Sequence, residues 1–324
     1  MITIRQLRYF DALATTLHFG RAAEMVHVSQ PALSAQIMEM EKHLGTTLIE
    51  RTRGNTLLTA KGQEILAHVR TVLAGVDRLE EAARRKSGML EGLVRIGIIP
   101  TVAPYLVPRM VPHLRREHPL IEIELKEAVT DRLKSDLVEG RLDAVIAALP
   151  IEDDNLEHLP LFTDRFFMAV AYNDEDVLLS PLTETEVDSD RLLLLEEGHC
   201  LRDQALAVCK AASKRSLINF GATSMTTLLQ MVSHDMGMTL IPEMAIETET
   251  ARTAIRIVPF ADPAPTREIG LVWRRSSKRR SDMEALGAVI RESARGLCGT
   301  ASRGAEASAG KRSSVHMPTV ADEQ

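Results

Sequence analysis

Cysteine is scarce in this chain: Cys200, Cys209 and Cys298 are the only three among 324 residues. Three thiols cannot build a disulfide framework, and a pair forming among so few reads more readily as transient and redox-sensing than as structural. Long apolar runs are missing too. No stretch approaches 18 consecutive apolar residues, and Arg5, Arg8 and Asp11 interrupt the apolar positions of the first 25. Neither a membrane-spanning helix nor a signal peptide is therefore expected, so the chain reads as cytoplasmic and an exported transport-binding protein is set aside. Charge of one sign is not in excess overall, since the net charge is only −6. It is nevertheless uneven: residues 1–90 carry 12 Lys+Arg against 9 Asp+Glu, whereas residues 91–324 carry 27 against 36. That asymmetry points modestly to an anion-binding N-terminal module.

What the chain does have is patterned apolar residues, 45% of the total, enough for two or three domains. Leu7, Phe10, Leu13, Ala14 and Leu17 recur at helical spacing, and a second short helix follows around Arg21–Val26. A third opens at Ser29-Gln30-Pro31, an N-cap followed by a first-turn proline. It carries Leu33, Ile37, Met40 and Leu44 on its inner face and stops at Gly45. Residues 47–50 and 55–58 read as two short strands joined by a basic turn holding Arg51 and Arg53. Three helices and a basic hairpin describe a winged helix-turn-helix over residues 1–62.

On that third helix Pro31, Ser34, Ala35, Met38 and Lys42 project outward, with Gln30 at the exposed N-terminal end. Recognition helices read bases from that end. Gln and Ser can hydrogen-bond base edges, and Ala or Pro can touch a thymine methyl. Arg51 and Arg53 suit phosphate contacts, which set affinity rather than sequence preference.

Residues 63–88 carry Ile65, Val69, Val72, Val76, Leu79 and Ala83 in steps of four and three, a coiled-coil seam with charged flanks, and read as a dimerising linker helix. From Leu93 the period changes to strand-like runs at 93–99, 121–127 and 143–149 separated by helical segments, and the pattern resumes at 166–172. Such a βαβ pattern predicts an α/β domain of two lobes with a crevice between them. Its boundaries are 89–298, with lobe I at 89–163 and 268–298 and lobe II at 164–267. Residues 299–324, rich in Ala, Ser and Gly, read as a disordered tail.

Cys200 opens a predicted helix and Cys209 lies nine positions further on. Nine helical steps put them about 13 Å apart on opposite faces, whereas a disulfide holds its Cα atoms within about 7 Å. Pairing these two would require the helix to unravel. A thiol of ordinary pKa is already a few per cent thiolate at pH 7, so full ionisation near a helix N-terminus and beside His199 or Arg202 speeds it only about thirtyfold. Selectivity for an oxidant needs donors that hold the reacting molecule and stabilise its leaving group. Thr101 and Thr130 occupy equivalent places after strands, where α/β folds bind ligands, although each alone reads as a helix cap. Cys298 reads as an inert small hydrophobe.

The strings Phe10-Asp11-Ala12-Leu13-Ala14, Phe19-Gly20-Arg21-Ala22-Ala23-Glu24, Val28-Ser29-Gln30-Pro31-Ala32-Leu33-Ser34 and Leu48-Ile49-Glu50-Arg51 resemble the N-terminus of LysR-type transcriptional regulators. The resemblance extends to about Cys298. It implies an α/β architecture with an N-terminal winged helix-turn-helix, a coiled-coil linker helix and a two-lobed periplasmic-binding-protein-like effector domain, usually assembled as a tetramer, a dimer of dimers. The string Gly198-His199-Cys200-Leu201-Arg202-Asp203-Gln204 with Cys209 is similar to the hydrogen-peroxide sensors of that family. By that likeness Cys200 is the peroxide-reactive thiol and Cys209 the resolving one, and Thr101, Thr130, His199, Asp203 and Arg267 line the peroxide pocket. Promoter DNA and hydrogen peroxide are then the expected partners, with RNA polymerase and a thiol reductase behind them. No cofactor, metal or enzymatic turnover is expected. Two other readings stay open: a regulator whose crevice takes a small organic co-inducer, and a thiol peroxidase, for which a DNA-binding module has no purpose.

Overall fold

The computed structural model describes residues 1–52, 55–84, 88–174, 181–184, 187, 191–208 and 218–298. The N-terminal unit packs α1 (Ile4–Thr16), α2 (Phe19–Met25) and α3 (Gln30–Leu44) against the hairpin β1 (Ile49–Thr52) and β2 (Asn55–Leu58). Its local signals work as expected. Thr3 and Gln6 form a reciprocal capping box on α1, Ser29 caps α3 by accepting from the Ala32 amide, and Gly45 ends α3 in the left-handed region at φ 66°. Phe10, Leu13, Leu33, Ile37, Met40 and Leu48 fill the core of this unit. The predicted turn is shorter than the sequence suggests, because Arg51 belongs to β1, paired with Thr56, rather than to the turn. Arg53 and the residues of the predicted tail lie outside the described residues.

The long helix α4 (Ala60–Arg84) leaves this unit. Its start lies so close to β1 that a Cβ on Gly62 would stand 2.2 Å from the Leu48 carbonyl oxygen, so only glycine fits there. Leu66 and Val69 pack into the N-terminal core, and Arg70 binds Asp11 of α1 at 2.8 Å. Further along, the seam surfaces: Val72 is 50% and Leu79 71% exposed. Ile65 and Val69 of the predicted seam are thus used inside the chain, whereas Val72 and Leu79 face outward.

Beyond it, β3 (Gly92–Ile98), β4 (Ile121–Glu127) and β5 (Ala144–Leu149) run parallel in the order β4-β3-β5, interleaved with α5 (Ala103–Glu117) and α6 (Thr130–Val138). Two antiparallel strands extend the sheet. One is β6 (Leu156–Ala171), which spans 16 residues where the sequence suggested a strand from 166, and the other is β11 (Thr266–Arg274). The first part of β6 pairs with β11, and its last part, from Phe166, pairs with β9 (Thr239–Pro242) and β10 (Ile255–Pro259). One strand therefore runs through both lobes. The second lobe adds the parallel pair β7 (Leu193–Leu195) and β8 (Ile218–Ala222) and the helices α7 (Cys200–Val208), α8 (Met225–Ser233) and α9 (Glu243–Thr250). The helix α10 (Arg280–Ala294) returns to cover the first. Among the described residues no helix is long and apolar enough to cross a membrane.

Candidate functional site

The site forms where strand ends meet helix starts. Ile98 of β3 and Glu127 of β4 are register partners, and Thr101 and Thr130 each lie three residues beyond them. The two threonines therefore emerge side by side from the carboxyl edge of the parallel sheet, where open α/β sheets bind ligands. Neither acts as a helix cap. The residues at those capping positions are Val102 and Val129, with no side-chain capping bond. The Thr101 hydroxyl, buried, instead accepts from Arg267 Nη1 at 2.9 Å. The Thr130 hydroxyl oxygen is buried with no hydrogen-bond partner.

The start of α7 faces this edge from the second lobe. Gly198, at φ +91°, turns the chain into the helix, and a Cβ built on it would lie 3.6 Å from Val129 Cγ2, the residue before Thr130. Glycine is required by that backbone conformation rather than by crowding. Next come His199, buried, and Cys200, half-buried at the first helical position. His199 Nδ1 has no hydrogen-bond partner, and neither does the buried Oε1 of Gln204. Burial holds the His199 ring below its ordinary value of 6.5, only partly opposed by Glu196, so at neutral pH it is uncharged and offers a hydrogen bond rather than a cation. Arg202 turns its guanidinium to the Leu195 carbonyl at 3.0 Å. Asp203 lies exposed in the first turn of α7. Cys209 lies outside the described residues.

Arg267 is part of β11. Its side chain is 1% exposed and fully engaged, with Nε and Nη2 on Asp164 Oδ2 at 3.0 and 2.9 Å, Nη2 also on the Thr101 carbonyl at 3.2 Å, and the guanidinium over the Phe166 ring. Asp164 is the residue that sequence reasoning missed; the signal is a lone carboxylate just before the apolar run Phe166–Ala171. Its other oxygen accepts from the Met244 amide at 3.2 Å and faces Cys298 Sγ at 3.7 Å. Cys298 is therefore half-buried, packed on the edge of the core and against a carboxylate. Burial first, then Asp164 and Glu243, push its thiol well above the ordinary range, so it stays protonated.

On the N-terminal unit, Gln30, Pro31, Ala35, Met38 and Lys42 are exposed along α3 and Ser34 is half-buried. The hairpin is fixed to this helix by Glu41, whose Oε1 accepts from the Leu48 and Ile49 amides at 2.7 and 3.1 Å. That carboxylate ties the start of the hairpin to the last turns of α3.

Two family models match. Residues 4–63 match the lysR-family bacterial regulatory helix-turn-helix protein, and residues 87–295 match the LysR substrate binding domain. The chain belongs to the LysR family. Among its relatives in that family is the DNA-binding transcriptional dual regulator OxyR of Escherichia coli K12, 40% identical over 290 residues that cover 90% of this chain and 95% of the relative. The hydrogen peroxide-inducible genes activator of Haemophilus influenzae is 37% identical, covering 91% and 98%. A full-length cysteine-to-aspartate variant of OxyR from Pseudomonas aeruginosa superposes with a TM-score of 0.68 at 33% identity, covering 90% of this chain and 98% of that one. A cysteine-to-serine variant of Corynebacterium glutamicum OxyR with hydrogen peroxide bound gives 0.63 at 31% identity, covering 94% and 96%.

Proposed function

We propose that this chain is a peroxide-responsive transcriptional activator that binds promoter DNA in the cytoplasm through α3 and its wing, and that senses hydrogen peroxide at Cys200. The observation that carries this reading is the pair of buried, unpartnered polar atoms, Thr130 Oγ1 and His199 Nδ1, at the starts of α6 and α7, where Val129 and Gly198 adjoin. Buried polar groups without partners are rare and costly. A small molecule able to donate and accept at once would satisfy both, and hydrogen peroxide is such a molecule. Charge favours it over an organic carboxylate. Arg267 is neutralised by Asp164, so it adds no uncompensated cation to the pocket.

In the proposed step the Cys200 thiolate attacks one peroxide oxygen. The S–O bond forms as the O–O bond breaks, sulfur gives up two electrons, and the departing hydroxide leaves as water once protonated. Thr101 and Thr130 hold the peroxide in line, while Asp203 at the rim relays the proton through solvent. The Cys209 thiol then displaces the hydroxyl of the sulfenic acid, forming the disulfide and releasing a second water. Because α7 runs from Cys200 to Val208, that step requires the helix to open. The remodelled segment shifts contacts in a homo-oligomer, a dimer of dimers joined in part through the outer half of α4, and so moves the DNA-binding units. RNA polymerase reads the change, and a thiol reductase resets it. A peptide mass map tests the reading: peroxide-treated wild type yields a linked Cys200–Cys209 peptide and Cys200→Ser yields none. Wild type without that link, or a promoter response surviving in Cys200→Ser, overturns it.

A further inference from the structure

Arg267 does not stand alone behind the pocket. Its guanidinium reaches Thr101 twice, at the hydroxyl and at the carbonyl, and is itself held on the far side by Asp164. The consequence for Thr101 is directional. A hydroxyl has one proton and two lone pairs, and here a lone pair is taken by Arg267 Nη1. The proton is left to point elsewhere, so Thr101 is preset as a donor. An arginine that swung away would free that hydroxyl to rotate.

What fixes the arginine is Asp164. Oδ2 receives both Nε and Nη2, while Oδ1 is pinned by the Met244 amide at the start of α9 and faces the Cys298 thiol. The carboxylate thus has its own supports from two separate elements, and both side chains of the ion pair are sealed from water. Asp164 and Arg267 are also register partners in β6 and β11, so their backbones are joined as well.

We propose that Asp164 is a positioning residue for the peroxide reaction, acting through Arg267 to present the Thr101 hydroxyl as a donor to bound peroxide. The proposal rests on the reading of Thr101 as a pocket residue. Donors held in advance contribute to a transition state because they need not reorganise when charge develops, and small displacements are expensive.

The test compares two reagents on the same thiol. Hydrogen peroxide needs the aligned donor, whereas iodoacetamide alkylates Cys200 without it, and the ratio of the two second-order rate constants removes any general change in thiol exposure or ionisation. The full chain is used in the Cys209→Ser background, so that only the first step is read. Asp164→Glu keeps the charge but displaces the guanidinium, and Asp164→Asn removes the charge. Each is expected to lower the peroxide-to-iodoacetamide ratio about tenfold to a hundredfold, with Asp164→Glu retaining promoter binding in the reduced state. A ratio within twofold of wild type in Asp164→Glu overturns the proposal, even where Asp164→Asn fails to fold. Thr101→Val separates the two levels. If it lowers the ratio and Asp164→Glu does not, Thr101 acts without help from Asp164; if neither does, Thr101 is no part of the pocket and the proposal falls with it.

Discussion

Asp164 and Arg267 face each other across β6 and β11 with carboxylate and guanidinium 2.9 Å apart, and neither side chain is more than 1% exposed. A pair so buried is asymmetric in its energetics: losing one partner strands a charge, whereas losing both need not. Arg267→Met is expected to destabilise the chain by about 3–5 kcal/mol, and Asp164→Leu combined with Arg267→Met to recover most of that loss. Urea denaturation of the four members of this cycle gives the comparison. The double variant is nevertheless expected to stay slow with peroxide, since Thr101 has lost its partner.

Thr130 presents the opposite case, a hydroxyl that contributes nothing to the resting fold. Its oxygen is buried and unpartnered, so Thr130→Val, equal in shape, is expected to leave stability unchanged or raise it by up to about 1 kcal/mol. Reaction of Cys200 with peroxide is expected to slow in the same variant. Thermal unfolding and stopped-flow oxidation together check the split. A loss of stability with no loss of rate would mark the hydroxyl as structural.

His199 is expected to make the start of α7 sensitive to acid. Its pKa in the fold is below its ordinary value of 6.5 because burial disfavours the cation. The unfolded chain therefore takes up the proton first as pH falls. The stability that His199 contributes is complete above about pH 6.5 and is lost progressively below it, until the folded form is protonated too. Protection of the α7 amides, the observed exchange rate set against the intrinsic rate at each pH, is expected to fall between pH 7 and 5 in wild type, and less so in His199→Asn. An equal fall in both would assign the effect to another group.

The outer half of α4 offers a separate prediction. Leu79 is 71% exposed and Val72 half-exposed on a helix whose first half already serves the N-terminal core. Leu79→Asp is expected to weaken self-association without unfolding the chain. Sedimentation equilibrium reads the first property, and circular dichroism the second.

The parts of this architecture that follow local rules were legible in the chain. Ser29, Pro31 and Gly45 mark the ends of α3 because capping and turn chemistry act within a few residues, and the parallel run β3, β4 and β5 follows from apolar periodicity. The first part of β6 was not, because Pro160, Thr163 and Asp164 interrupt the apolar pattern, and the charge of Asp164 is balanced by Arg267 on the neighbouring strand β11. The helix α10 was passed over although Met283, Leu286 and Ile290 carry its period. Thr101 and Thr130 do follow the ends of two strands, β3 and β4, but their hydroxyls read as caps, since the partner of Thr101 lies 166 residues away. Asp164 and Arg267 are 103 residues apart, and no local signal joins them.

The central claim is that peroxide acts on Cys200 and that the change reaches the DNA-binding units. A promoter DNA footprint taken before and after peroxide, with wild type beside Cys200→Ser, tests it most directly. The account predicts a footprint whose length or position changes in wild type and stays in the reduced pattern in Cys200→Ser. A footprint that peroxide leaves unchanged in wild type, or alters equally in Cys200→Ser, would contradict it.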